Sequence, residues 1–341
     1  MPERTGVTVV IPTRNRRSFL EEAVASVRRQ TLADVELIVI DDASEDDTPA
    51  WLEAEGVPFH RMTQHEERSV ARNEGLRRAR NARILFLDDD DLLRPRALEL
   101  LSAALDREPS AVAAIGGASE FDSEGHRQRM AHPKRSFTRS IRYETIFGWA
   151  SHPGRTLFST EEVRRCGGFP RGLVVGEDRY VLLRISARGP VVFVADEVLE
   201  HRVHPTQWRP ADTEARELEI TRRYLQTLTP GEANVGERIM RARIEYDLGS
   251  AAWDADDPRR AFRHFVRMRH VPRELMFSPV LRNQFTFPLR RGIWGAIAGP
   301  RFIRSARRTR ARLLRLLGRE VWRVPRPQRV EHGPAGEGGG R

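Results

Sequence analysis

Over the first two hundred residues the spacing of apolar positions alternates between two periods. Val7 to Ile11 is a short β-branched run closed by Pro12, which predicts a strand. Phe19, Leu20, Ala23, Val24 and Val27 then recur at helical spacing behind a Ser18/Glu21 pair that reads as a capping box. Val35 to Ile40 is almost continuously apolar, as a strand buried on both faces should be, and runs straight into Asp41-Asp42. Thr48-Pro49 predicts a helix start with Thr48 as N-cap and Pro49 in the first turn. Val57 to Met62 predicts a third strand, Ser69 to Arg80 a helix, and Ala82 to Leu87 a fourth strand ending at Asp88-Asp89-Asp90-Asp91. A helix over Pro95 to Leu105 follows. Strands and helices alternating through short connections predict an α/β fold, a mostly parallel sheet with helices on both faces.

Downstream the pattern loosens. Ala111 to His132 is strand-like, with turn signals at Gly116-Gly117 and at Ser123 to Gly125. Thr156 to Ser159 predicts a short strand, and Ser159 with Glu162 caps a helix that stops at Gly167-Gly168. Glu177-Asp178 opens another helix, and Pro190 to Ala195 is a buried strand continued by the polar chain Glu200 to His204. After Pro210 strand signals vanish, and 212–228 and 231–269 read as helical. Ala251 to Trp253, Asp257-Pro258 and Ala261-Phe262 resemble one helical hairpin of the tetratricopeptide sort. Because such repeats need about three copies for a core, these helices are expected to form an appendage packed on the preceding domain. The expected organisation is therefore 1–210, an appendage over 211–281, and a basic amphipathic segment over 282–341 whose Pro- and Gly-rich end predicts disorder.

Charge matters in one place. The 341 residues carry 58 basic and 48 acidic side chains, a net of +10 with an isoelectric point near 10.8, and such a balance suggests nucleic acid. Yet 282–341 alone hold 15 basic and three acidic residues, which leaves the rest at a net of −2. In that segment Phe302, Ile303, Ala306, Leu313, Leu314 and Leu317 interleave with arginines. Three readings stand: a helix lying on an anionic membrane surface, a solvated or internally packed basic helix, and a nucleic-acid patch. No nucleic-acid motif accompanies it, so no nucleic-acid partner is expected. Cys166 is the only cysteine, no apolar run approaches the roughly 20 residues of a membrane span, and no signal peptide is read at the start. A cytoplasmic location follows as the expectation, with peripheral placement on the inner face of the cell membrane if the basic helix binds lipid.

Both acidic clusters fall at carboxyl ends of predicted strands, where α/β sheets bind ligands. Consecutive aspartates repel one another, and a cation compensates them. Hard oxygen donors select Mg²⁺, Mn²⁺ or Ca²⁺ over zinc. The competing reading is a loop in which one aspartate, such as Asp91, merely caps a helix. Gly-x-Gly-x-x-Gly and Walker-type loops are absent from the sequence, which argues against dehydrogenases and P-loop enzymes.

Five segments in order carry a resemblance: Val7-Thr-Val-Val-Ile-Pro-Thr-Arg-Asn15, Leu37-Ile-Val-Ile-Asp-Asp-Ala-Ser44, Ala71-Arg-Asn-Glu-Gly75, Phe86-Leu-Asp-Asp-Asp-Asp91, and Gly167-Gly-Phe169 followed by Gly176-Glu-Asp178 and Arg184. Together they resemble family 2 glycosyltransferases of the Rossmann-like GT-A fold over about Val7 to His204. The resemblance implies that Pro12 and Asp42 frame the nucleotide base and ribose, that Arg72 serves the donor site, and that Asp88 and Asp90 are the two aspartates of the family's Asp-x-Asp. Asp88 would then face the ribose and Asp90 a divalent cation, Mn²⁺ or Mg²⁺. Asp89 stands where the family often has a small residue, which leaves open which carboxylate of Asp88 to Asp91 touches the ion. Asp178 matches the family's general base, with Glu177 beside it as the second candidate. His204 resembles a distal histidine that approaches the metal or diphosphate, and a loop histidine is the alternative.

The implied activity is inverting transfer of a sugar from a nucleoside diphosphate sugar, a UDP-sugar by expectation. Its acceptor would be a saccharide or lipid-linked molecule in cell-surface polysaccharide or glycolipid synthesis. Two rivals remain: a nucleotidyl or phosphoryl transferase using the same aspartates, and a catalytically inactive binding module.

Overall fold

Alternate side chains of the first strand go to opposite faces of the sheet, and the two faces carry separate cores. The computed structural model describes residues 4–130, 133–173, 175–204, 213–255, 257–268, 275 and 278. Its first half runs β1 (Arg4–Thr13), α1 (Arg17–Arg28), β2 (Val35–Asp41), α2 (Thr48–Ala54), β3 (Phe59–Arg61), α3 (Arg68–Arg78), β4 (Asn81–Phe86), β5 (Leu92–Leu93) and α4 (Ala97–Arg107). There follow β6 (Ala113–Phe121), β7 (Arg127–Arg129), β8 (Phe137–Arg139), α5 (Arg142–Phe147), β9 (Thr156–Ser159), α6 (Thr160–Arg165), α7 (Glu177–Ser186) and β10 (Val191–Arg202). The appendage comprises α8 (Thr213–Leu225), α9 (Pro230–Asp254) and α10 (Pro258–Arg267).

The strand order is β3-β2-β1-β4-β9-β6-β10-β5, with β7 beside β6 and β8 beside β10. The pairs β1–β2, β1–β4, β2–β3 and β6–β10 are parallel, and the short strands β5, β7, β8 and β9 join antiparallel. Val7, Val9 and Ile11 pack with Leu20, Val24 and Val27 of α1 and with Leu98 and Leu101 of α4. Val10, Ile38 and Ile40 face the other way, against Ala71 and Leu76 of α3 and Val181, Leu182 and Ile185 of α7. Each such aliphatic side chain contributes about 1.5–3 kcal/mol when fully buried. A third core joins Ile146 and Phe147 of α5 and Leu183 of α7 to Ile220 and Tyr224 of α8, Ile239 and Trp253 of α9, and Phe265 of α10. The appendage is thus packed on the catalytic-type domain, and α9 with α10 forms a single hairpin.

Several local expectations shift. Ser18 lies inside α1, Arg16 is its N-cap without a side-chain cap bond, and Glu21 instead accepts from Arg17 Nε at 2.7 Å. Asp47 takes the N-cap place of α2, one residue before Thr48, whose N–H donates to Asp46 Oδ1. Ser159 does cap α6 by accepting from the Glu162 N–H. The buried run Pro190 to Ala195 and the polar chain after it form one strand, β10, whose register against β6 slips between Phe193 and Leu199. That slip lets an apolar half and a polar half share one strand. The basic segment 282–341, with its membrane and disorder readings, lies outside the described residues.

Candidate active site

Three parallel strands, β1, β2 and β4, end on the same side of the sheet, and a cleft of about 420 Å³ opens there. It is lined in part by Pro12, Thr13, Arg16, Asp42, His65, Arg68 and Asp88 to Asp90. Local backbone chemistry holds the rim. Asn15 takes a left-handed conformation, φ 54°, and its Oδ1 accepts the N–H groups of Glu45 and Asp46, while its own N–H donates to Ser44 Oγ. Ala43 also has φ 54°, a conformation an alanine holds only at a cost of order 1–3 kcal/mol. The β1 and β2 loops are thereby tied together, which fixes Pro12 and Asp42 side by side.

Asp42 is clasped from both sides. Its Oδ1 accepts the Glu66 N–H at 2.8 Å, and its Oδ2 lies 2.7 Å from His65 Nδ1. Beneath it, buried Asp41 accepts the Ser44 N–H and sits 3.4 Å from Arg61 Nε. His65 had no signal in the sequence, because it reaches Asp42 only through the loop before α3.

Arg72 is fully buried on α3, with Nη2 2.6 Å from Asp88 Oδ1 and Nη1 2.7 Å from Glu177 Oε1. Two of the sequence segments meet to place it. Asn73 donates to the Phe169 carbonyl and accepts the Phe169 N–H, which sets the Phe169 ring 5.2 Å from the Arg72 guanidinium. The clasp requires Gly168 at φ 68°, where a Cβ would fall 2.3 Å from Asn73 Oδ1. Burial alone would raise Asp88, but Arg72, Arg68 and His152 outweigh it and hold its carboxyl well below the usual range.

The remaining aspartates divide. Asp89 accepts from Thr13 Oγ1 and Arg16 Nη1, both at 2.8 Å, yet burial pushes its carboxyl up to about 7. Asp90 Oδ2 is 3.0 Å from both Arg16 Nη1 and His204 Nε2, so the two distant residues that the sequence proposed as metal ligands do meet. The His204 ring stacks on Phe19 at 5.5 Å. Asp91 faces away from the cleft, fully buried, with Oδ1 accepting the Arg202 N–H and lying 3.0 Å from His201 Nδ1. It caps no helix. Arg16 was missed as a functional residue, although Thr13-Arg-Asn-Arg16 directly after a strand was a signal that could have found it.

Glu177 and Asp178 begin α7 on the far side of Arg72. Glu177 is buried, and its carboxylate is spent on Arg72, with Arg68 at 3.7 Å. Asp178 accepts the Arg179 N–H at 2.7 Å and, among the described residues, has no basic side chain in ion-pair contact. Burial, then the neighbouring Glu177, push its carboxyl up to about 6 despite Arg72. A carboxylate so poised can accept a proton near neutral pH.

Asp90 Oδ2 and His204 Nε2 lie 3.0 Å apart at the cleft, a spacing that two ligands of one ion adopt. Arg16 bridges them, with Nη1 3.0 Å from Asp90 Oδ2 and Nη2 3.2 Å from His204 Nε2, so a divalent cation there would take the place of the guanidinium.

Residues 8–162 match the family model described as glycosyl transferase family 2. An uncharacterized protein of Sinorhizobium fredii is 32% identical over 204 residues, which cover 57% of this chain and 21% of that protein. The GalNAc(5)-diNAcBac-PP-undecaprenol beta-1,3-glucosyltransferase of Campylobacter jejuni is 35% identical over 105 residues, 29% of this chain and 32% of that one. The chain thus spans a third or less of the length of these two relatives. Among solved structures, S. aureus TarS 1-349 in complex with UDP-GlcNAc matches with a TM-score of 0.59 and 16% identity, over 85% of this chain and 81% of that one. At that identity the likeness establishes the fold alone, a GT-A sheet. With the five segments folded around one cleft and the matched stretch holding all but the last of them, this chain resembles glycosyl transferase family 2 over residues 8–162.

Proposed function

We propose that this chain is an inverting glycosyltransferase that moves a sugar from a UDP-sugar to a saccharide or lipid-linked acceptor. The observation that carries this reading is the pairing pattern of the cleft. Asp41, Asp42, Asp88, Asp89, Asp90, Asp91 and Glu177 each have an arginine or histidine within ion-pair distance, and Asp178 has none among the described residues. Among the described residues Glu66 and Glu67 line the cleft without such a partner as well, so Asp178 is singled out by its raised carboxyl together with its place beside Arg72 and Glu177. The UDP-GlcNAc bound by TarS supports a UDP-sugar donor, and the undecaprenol-linked substrate in the Campylobacter enzyme's name supports a lipid-linked acceptor in surface-glycan synthesis.

Pro12 and Asp42 hold the uracil end of the donor, Asp42 offering lone pairs that His65 and Glu66 leave free. Asp88, oriented by Arg72, takes the ribose, and Arg16 and Arg68 line the path of the diphosphate. Asp90 and His204 would hold Mn²⁺ or Mg²⁺, which when bound supplies positive charge against the departing diphosphate. Asp178 removes the proton of the acceptor hydroxyl as its oxygen bonds to the anomeric carbon and the bond to the diphosphate breaks. One base and no second nucleophilic carboxylate make this a single displacement, so the anomeric configuration inverts. Glu177 stays with Arg72 and keeps it aligned.

A panel of nucleotide sugars, each with Mn²⁺ and a lipid-linked or oligosaccharide acceptor, tests the reading by UDP release and by the anomeric configuration of the product. Release of pyrophosphate in place of UDP, or retention of configuration, would overturn it. Asp90→Asn is expected to weaken Mn²⁺-dependent donor binding, and an unchanged dependence would remove Asp90 from the ion.

A further inference from the structure

Behind the cleft, on the side of the acidic loop facing away from the donor, lies a second group of potential ligands that the transfer chemistry above does not use. Asp91 follows β4, His152 precedes the turn 153–155 that leads into β9, and His201 is near the end of β10, so three separate segments converge. One ligand atom from each lies within 4.8 Å of the other two. His201 Nδ1 is 3.0 Å from Asp91 Oδ1, His152 Nδ1 is 3.5 Å from Asp91 Oδ2, and the two imidazole rings are 4.7 Å apart. Ligands of a tetrahedral zinc ion, bound at about 2.0–2.2 Å, stand roughly 3.3–3.5 Å apart. The trio is therefore close to a coordination shell without rearrangement.

An independent observation points to a ligand. Asp91 Oδ2 has no exposed surface and no hydrogen-bond partner, and the nearby His152 Nδ1 is likewise buried without one. Buried carboxylate oxygens are costly to leave unmatched, and more than nine in ten buried polar groups find a partner. Here two such atoms face each other at a distance too long for a good hydrogen bond and suited to sharing an ion. The other Asp91 oxygen is already oriented by the Arg202 N–H at 3.0 Å, the kind of supporting contact that steadies a metal ligand.

We propose that Asp91, His152 and His201 form a transition-metal site of the zinc class, distinct from the cation of the donor cleft. Two imidazole nitrogens and one carboxylate oxygen favour Zn²⁺ over Mg²⁺. The site reaches the donor through His152. Metal on Nδ1 leaves the ring's proton on Nε2, which lies 3.7 Å from Asp88 Oδ2. The ion would then fix the face that His152 shows to Asp88, and Asp88 is the carboxylate assigned above to the ribose. The site itself stands on Asp91, His152 and His201 whether or not that donor assignment holds.

The test uses the full chain, stripped with a chelator and titrated with Zn²⁺ alone, without nucleotide, against a chromophoric competitor. Wild type and Asp90→Asn should each bind one equivalent, and His152→Ala and His201→Ala should bind at least about tenfold more weakly. Co²⁺ in place of zinc should give the intense visible bands of a low-coordinate, nitrogen-ligated ion, in wild type and in Asp90→Asn alike. This reading needs no ligand variant to fold. Absence of a bound equivalent, octahedral cobalt spectra, or loss of the ion in Asp90→Asn with retention in His152→Ala would each overturn the proposal.

Discussion

Replacing Asp178 by Asn should make the protein more stable and nearly inactive, and the two effects share one cause. The Asp178 carboxyl rises to about 6 in the folded chain because burial and Glu177 both disfavour its charge. In the unfolded chain it titrates near 3.9. The native state therefore binds more protons than the unfolded state between about pH 4 and pH 6, and stability falls as pH rises through that window. Above about pH 6 the charged side chain imposes the whole difference, about two pH units or roughly 2–3 kcal/mol. Below about pH 4 it imposes none. Asp178→Asn removes the charge and keeps the shape. Urea unfolding of both proteins should show the variant more stable by up to about 2–3 kcal/mol at pH 8, with the gap closing toward pH 4.5. Turnover should fall about 10²–10⁴-fold, the usual contribution of a general base. In the wild type, kcat/KM should decline below about pH 6 as Asp178 takes up its proton. A variant that is less stable at pH 8, or that transfers sugar at an undiminished rate, would refute the assignment of Asp178 as an unpaired, strained base.

Other consequences follow from the same geometry. Arg72→Met removes the guanidinium from between Asp88 and Glu177 and should destabilise the fold by about 3–5 kcal/mol, read in the same urea experiment, because two buried carboxylates lose their partner. Asp42→Ala should raise the Kd for UDP by roughly 10- to 100-fold in calorimetry while leaving the unfolding midpoint little changed. Gly75→Ala would press a Cβ to 2.2 Å from Val10 Cγ1, so the melting temperature should fall by the equivalent of about 1–3 kcal/mol with the donor KM unaltered. Reversing Arg307, Arg308 and Arg310 to Glu should lower co-sedimentation with anionic liposomes without changing turnover on a soluble acceptor, and equal sedimentation would remove the membrane reading of that segment.

What could be read from the chain without a structure follows a physical division. Long apolar runs such as Val35 to Ile40 announce their strands because burial on both faces leaves no other arrangement. Acidic residues at the ends of those runs announce a site because strand ends of such sheets converge. Strands of two or three residues, β5 and β8, carry no periodicity, since their pairing is imposed by β10 rather than by their own side chains. Caps failed where arginine dominates. Arg16 begins α1 without a side-chain cap because a guanidinium has no acceptor for the first-turn N–H groups, and it bonds instead to aspartates 73 and 74 residues away along the chain. His65 and His201 were invisible for the same reason. A histidine's chemistry depends on its neighbours, and Asp91 lies 110 residues from His201.

The pairing pattern also explains why an overall charge of +10 says so little about the chemistry. Carboxylates gathered around one cleft cannot all stay charged without local compensation, and part of that compensation comes from side chains with two contacts each. Arg72 serves Asp88 and Glu177, and Arg16 serves Asp89 and Asp90. Such doubly used cations couple the strands to one another, β1 to the loop after β4 through Arg16 and α3 to α7 through Arg72. The two ends of the cleft therefore cannot be misplaced independently. Distance and burial, rather than net charge, decide which acid is held in place and which is free to take a proton. That selection leaves Asp178, raised to about 6 by burial and by the neighbouring Glu177.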